Sequence, residues 1–164
     1  VLFHFSDKLE LYRAVLDDVF GALLGDVQFA LAGTASLDDR LTVAIGTAVD
    51  YFGRRPNAAN LIMREAATVD PELRDVARKQ AAPLLKVLDL LLHEGERTGV
   101  WMPRCDVYHF AGIVAGAIVF YVGASRSLVS ALPYDPLSTA QRIVLKEEIL
   151  AVAWALLRPK AKRK

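Results

Sequence analysis

Val1-Leu2-Phe3-His4-Phe5-Ser6-Asp7-Lys8-Leu9-Glu10-Leu11-Tyr12-Arg13-Ala14-Val15-Leu16-Asp17-Asp18-Val19-Phe20 opens the chain, an aromatic-rich segment running straight into an amphipathic helix. Ser6 is placed to cap that helix, its hydroxyl oxygen taking one of the backbone N–H groups that a first turn leaves without a partner. Leu9, Leu16, Phe20, Leu23, Leu24, Val27 and Leu31 then recur at helical spacing, which predicts a helix from about Asp7 to Ala32, stopped by Gly33. Further along, Ser36-Leu37-Asp38-Asp39 has the spacing of a capping box with Asp in place of Glu, and Leu41, Ile45, Ala48 and Phe52 follow as the apolar face of a second helix ending near Arg55. Pro56 restarts a short helix that carries Leu61, Ile62, Met63, Arg64 and Glu65.

Asp70-Pro71-Glu72 is the clearest helix start in the chain, combining an N-cap, a proline at the first helical position and a first-turn acid. The helix it opens should reach about Arg97, with Gly99 as its stop and Pro83 as a kink within it. Asp106 can cap the next, strongly apolar helix, which runs until Pro133-Tyr134-Asp135-Pro136 breaks the chain. Ser138-Thr139-Ala140-Gln141 is a second capping box, and it opens a last helix to about Leu157. No strand-like alternation and no internal repeat competes, so the fold class is all-α.

At 164 residues, 54% of them apolar, the chain suits one domain with a sizeable core. The net charge of +1 hides an asymmetry, because Arg158, Lys160, Lys162, Arg163 and Lys164 leave residues 1–157 at −4. Such a body attracts no phosphate backbone broadly, and the basic tail reads as a solvated end. The lone Cys105 excludes an internal disulfide and suits a reducing cytoplasm. His93-Glu94 begins like a zinc-protease motif, but Arg97 stands where the second His belongs, so no metal site is expected. Cys105 and His109 are four apart without a readable third member, and no nucleophile elbow, P-loop or dinucleotide fingerprint is present. The sequence therefore reads as a non-enzyme that needs no cofactor.

Two helices carry more apolar faces than one chain of this size can cover. In the stretch from Val107 to Ala124, Gly112, Gly116, Val119 and Gly123 form one stripe, with Phe110, Val114, Ala117 and Tyr121 opposite. In the last helix Leu145, Ile149, Val152, Ala153 and Leu156 form one stripe, and Ile143, Leu150, Trp154 and Leu157 another. The glycine stripe and the Leu145–Leu156 stripe are expected to face a second copy in a four-helix seam. The same apolar stretch has the length of a membrane span, but four amphipathic helices precede it and Lys146, Glu147 and Glu148 follow in the last helix, which favours a soluble dimer with no membrane partner.

The aromatic–His–aromatic opening followed by a capped, Lys-containing turn resembles the junction between the DNA-recognition helix and the next helix in TetR/AcrR-family transcriptional regulators. Pro56-Asn57-Ala58-Ala59-Asn60-Leu61-Ile62-Met63-Arg64-Glu65-Ala66-Ala67, Glu94-Gly95-Glu96-Arg97-Thr98-Gly99-Val100 and Asp135-Pro136-Leu137-Ser138 are similar to that family's effector domain. The resemblance implies a TetR-like all-helical fold, a homodimer paired through its last two helices, and a ligand-responsive regulator, in the first instance a repressor, that meets operator DNA through a helix-turn-helix head. It makes residues 1–5 the end of that head, 6–157 the ligand-binding and dimerisation domain and 158–164 a flexible basic tail. His4 and Lys8 match the end of the DNA reader, with Lys8 able to meet a phosphate; Leu2 stands where the family commonly has an aromatic.

For the ligand pocket the expectation is an apolar cavity with few polar anchors, enclosed by Phe20 and Leu24, Met63 and Arg64, Leu88, Trp101, and His109 and Ile113. His109 reads either as a hydrogen-bonded core histidine or as a polar contact to a small, largely apolar effector. A helical carrier or enzyme using the same cavity, or a membrane-associated helical protein, is the alternative.

Overall fold

The computed structural model describes residues 5, 7–32, 36–67, 70–128 and 135–157, apart from the side chains of Lys8 and Arg126. Among the described residues there are six helices and no strands: α1 (Lys8–Leu31), α2 (Leu37–Arg54), α3 (Pro56–Ala66), α4 (Pro71–Arg97), α5 (Val107–Leu128) and α6 (Thr139–Leu157).

Most helices begin where a short polar side chain satisfies the first turn. Asp7, rather than Ser6, caps α1, its carboxylate accepting from the Glu10 N–H at 2.8 Å, so the helix starts one residue later than the serine implies. Ser36 accepts from the Asp39 N–H at 3.0 Å and donates its hydroxyl to the Asp39 carboxylate at 2.6 Å. Asp70 accepts from Glu72 and Leu73, Asp106 from His109, and Ser138 from Gln141. α4 continues through Pro83 and ends before Gly99, whose φ of 73° is the left-handed conformation that glycine adopts without a Cβ penalty. Gly33, expected to stop α1, and Ser6 lie outside the described residues.

α1 packs on α2 and α4, and α5 lies against α2, α3, α4 and α6. Arg13 shares a cleft with Asp75 and Gln80, while residues 23–31 of α1 and 84–91 of α4 line one apolar cavity farther along, so α1 and α4 run side by side in the same direction. The segment Val107–Ser125 of α5 is long and apolar enough to cross a membrane. Here it has helical neighbours along its length, and Phe110, Val114, Ile118 and Val122, four residues apart, are buried in the common core. The loop after α4 closes the end of α6: the N–H groups of Met102 and Arg104 donate to the carbonyls of Leu157 and Leu156 at 2.7 and 3.0 Å.

The two faces of α6 resolve differently from the helical-wheel expectation. Leu145, Ile149 and Ala153 are buried in the chain's own core, where α6 packs on α2 and α5, and Leu156 is half-covered by that core, so this stripe is not free to face a partner. Val152 is open, together with Ile143 and Val144. On α5, Val119 is buried, and Gly123 lies against α3, where the Met63 sulfur is 2.5 Å from where a Cβ would stand. Gly112 and Gly116 have nothing within 4 Å of a would-be Cβ and remain open beside exposed Ile113 and Phe120.

Candidate ligand cavity

Between α1, α2, α4 and α5 lies a cavity of about 160 Å³ in which every lining residue is apolar. Leu23, Val27 and Leu31, successive turns of α1, form one wall, and Leu84 to Leu91 of α4 form another. Two alanine pairs at i, i+4, Ala44/Ala48 on α2 and Ala111/Ala115 on α5, complete it, each leaving space that a leucine would fill. Phe52, Phe110 and Ile118 close it toward the core. Ala115 is exposed and Leu85 half-buried, so the open side lies between α4 and α5. An apolar cavity of about 150 Å³ stays dry and holds a hydrocarbon the size of benzene. A polar group placed inside would find no hydrogen-bond partner and would pay its desolvation uncompensated.

Of the pocket residues expected from the sequence, Leu88 lines this cavity and the others do not. Phe20 sits one turn before the first lining residue of α1, and Leu24 is rotated about 100° from Leu23. Met63 points at Gly123 instead, filling the space a side chain would occupy there. Arg64 is 77% exposed, its Nε 3.7 Å from Glu65. Trp101 is core: it is 1% exposed, its ring lies over Gly95, its indole N–H donates to Asp38 at 2.8 Å, and Trp154 is tilted against it with centroids 6.2 Å apart. His109 is neither a core histidine nor a cavity group, because it is 74% exposed and its Nδ1 lies 2.9 Å from the Asp106 carboxylate. Ile113 lies in a shallow surface depression with Tyr108 and Gly112. His4 and the side chain of Lys8 lie outside the described residues.

The electrostatics give no sign of catalysis in this region. Burial and the neighbouring Asp106 push the Cys105 thiol up, opposite to what an activated thiolate needs. Bonds from the His109 N–H and ring pull the Asp106 carboxyl down, as expected of a helix cap. No group of three or more metal-ligating side chains occurs among the described residues. The alanine pairs were the legible signal of the cavity that apolar periodicity alone passes over.

Comparison with known proteins places this architecture. The family model described as the tetracycline repressor-like C-terminal domain matches residues 38–152, well over half of the chain. No curated protein sequence matches it. Among solved structures, the fatty acid degradation regulator FadR from Bacillus halodurans superposes with a TM-score of 0.71 at 17% identity, over 90% of this chain and 77% of that one. The transcriptional regulator FadR from Bacillus subtilis, solved in complex with stearoyl-CoA, gives 0.73 at 18% identity, over 93% and 77%. At such identities the likeness is one of fold. With its body matched by the family model, the chain belongs to the tetracycline repressor-like C-terminal domain family, the effector-binding domains of TetR-family transcriptional regulators.

Proposed function

We propose that this chain is the effector-binding and dimerisation part of a cytoplasmic transcriptional repressor whose effector is small and largely apolar and sits between α1, α2, α4 and α5. The observation that carries the reading is the wholly apolar lining of the 160 Å³ cavity, in a fold with no competing catalytic constellation among the described residues. Ligand sites usually run to about 300 Å³ or more, so an effector larger than a six-carbon hydrocarbon must open this one. A ligand that binds the opened arrangement more tightly shifts the molecule toward it, and this differential affinity is what can release an operator. Because the Bacillus subtilis FadR structure holds stearoyl-CoA, an acyl chain is the first ligand class to try.

In this reading residues 1–5 end a helix-turn-helix head, with His4 and Lys8 beside the DNA backbone, residues 6–157 form the regulatory domain, and 158–164 a basic tail. Two copies pair through α5 and α6. The open apolar surface supports Gly112, Gly116, Ile113 and Phe120 of α5 and Ile143, Val144 and Val152 of α6 as the paired face. Calorimetric titration with acyl-CoAs from hexanoyl to stearoyl tests the cavity. Binding should occur and should fall at least tenfold in Leu88→Trp, which places an indole in the void. If no chain length binds, or if Leu88→Trp leaves affinity unchanged, the cavity is not the effector site.

A further inference from the structure

Glu65 is the buried carboxylate of α3. It is 9% exposed and occupies the last turn of α3, where the carbonyl end of the helix repels a carboxylate. Its Oε2 accepts from the Tyr12 hydroxyl at 2.5 Å, while Arg64, on Oε1 at 3.7 Å, is largely in solvent and offers a screened contact. Burial, and then the carboxylate itself, push the Tyr12 phenol well above its ordinary value, so it stays a proton donor throughout the physiological range. A buried charge keeps its place only if its hydrogen bond holds, which makes this contact a strong one.

Its position gives it leverage. Tyr12 lies in the second turn of α1, and the far end of the same helix supplies the cavity wall at Leu23, Val27 and Leu31. Between them Tyr51, 1% exposed, donates its hydroxyl to the Val19 carbonyl at 2.9 Å and pins the middle of α1 to α2. The contacts of the cavity end include its apolar packing and the exposed Asp26–Arg54 pair at 3.8 Å. α1 is a continuous helix through Gly21 and Gly25, and Tyr12 and Val27 are about 22 Å apart at 1.5 Å per residue. If the cavity end of α1 moves outward about the Val19 pin, the first turns move the other way and shear the Tyr12–Glu65 contact.

We infer that Tyr12 and Glu65 form a latch that positions α1 and holds the cavity in its small, closed form, and that seating a long apolar chain requires its release. This rests on the proposed use of the cavity as the effector site. Hydrogen exchange of the unliganded chain, which needs no effector, tests the coupling. In Tyr12→Phe, amides of residues 8–15 and also of the cavity wall at 23–31 should exchange at least about fivefold faster, with 145–157 unchanged. Glu65→Gln, whose amide oxygen still accepts from Tyr12, should stay closer to wild type than Tyr12→Phe does. Acceleration confined to 8–15, or spread equally to 145–157, overturns the latch. Stearoyl-CoA should bind Tyr12→Phe about three- to tenfold more tightly than wild type; weaker or unchanged affinity also overturns it. Absence of stearoyl-CoA binding to the wild-type chain would instead sink the cavity reading, with the exchange data still deciding the latch.

Discussion

Filling the cavity should stabilise the chain while blocking its ligand, and Ala48→Leu is the substitution that shows it. The 160 Å³ between α1, α2, α4 and α5 is apolar space that the packing leaves unfilled. Leucine adds three carbons at Ala48, which lines the void, and each is worth about 0.8 kcal/mol when buried. Fixing the leucine rotamer returns about 0.5–1 kcal/mol, leaving a net gain of about 1.5–2 kcal/mol. For a domain of this size that is a rise in melting temperature of about 3–8 °C. Differential scanning calorimetry reads the rise, and titration with decanoyl-CoA reads an accompanying loss of affinity of tenfold or more. A lower melting temperature would mean that the space is already closed in solution and the added methyls overpack it. That result would remove the physical basis for the proposed site.

Three further outcomes follow from packing and charge. Gly95→Ala would drive a methyl into the ring of Trp101, which is fully buried and bonded to Asp38, so overpacking together with the lost hydrogen bond should cost about 3–4 kcal/mol in urea unfolding; a cost below 1 kcal/mol would show that the ring can move aside. Gly116→Leu meets nothing within the chain, so the subunit should fold normally while light scattering shows the dimer dissociating; a dimer of undiminished affinity would place the paired face elsewhere. Hydrogen bonds from Lys79 and then Arg78 pull the Asp75 carboxyl down to about 2, so its contribution is present above the unfolded value near ~4 and is lost as pH falls toward 2. Melting curves of wild type and Asp75→Asn should differ slightly at pH 5–7 and converge on acidification; a gap that widens at low pH contradicts the sign.

Helix starts were legible because capping is a local matter. Asp70-Pro71-Glu72 satisfies its own first turn whatever packs nearby, and Ser36, Asp106 and Ser138 do likewise. Which apolar face meets which neighbour is not local. The stripes of α6 are alike in composition, and Leu145, Ile149 and Ala153 went inward because α2 and α5 approach on that side, leaving Ile143, Val144 and Val152 open. The cavity lies away from most of the expected pocket residues for a related reason: large side chains such as Met63 and Trp101 attract notice, but they fill space, and the unfilled space is lined by Ala44, Ala48, Ala111 and Ala115. His109 stands near the start of an apolar helix, yet the cap residue Asp106 draws its ring out into solvent.

The bonds from Met102 and Arg104 to the final carbonyls of α6 make the closing turn of the last helix depend on a loop some fifty residues earlier in the chain. Those carbonyls need nothing from the residues that follow, since their partners come from within the body of the fold. The junction after Leu157 is therefore a natural place to attach a fluorescent protein, an affinity handle or a surface tether, and a chain cut there retains the N–H donors that seal α6. The same wiring makes the loop a poor site for insertion: lengthening it between Met102 and Arg104 would uncap a helix distant in sequence while leaving α4 and α5, its immediate neighbours, with their own caps.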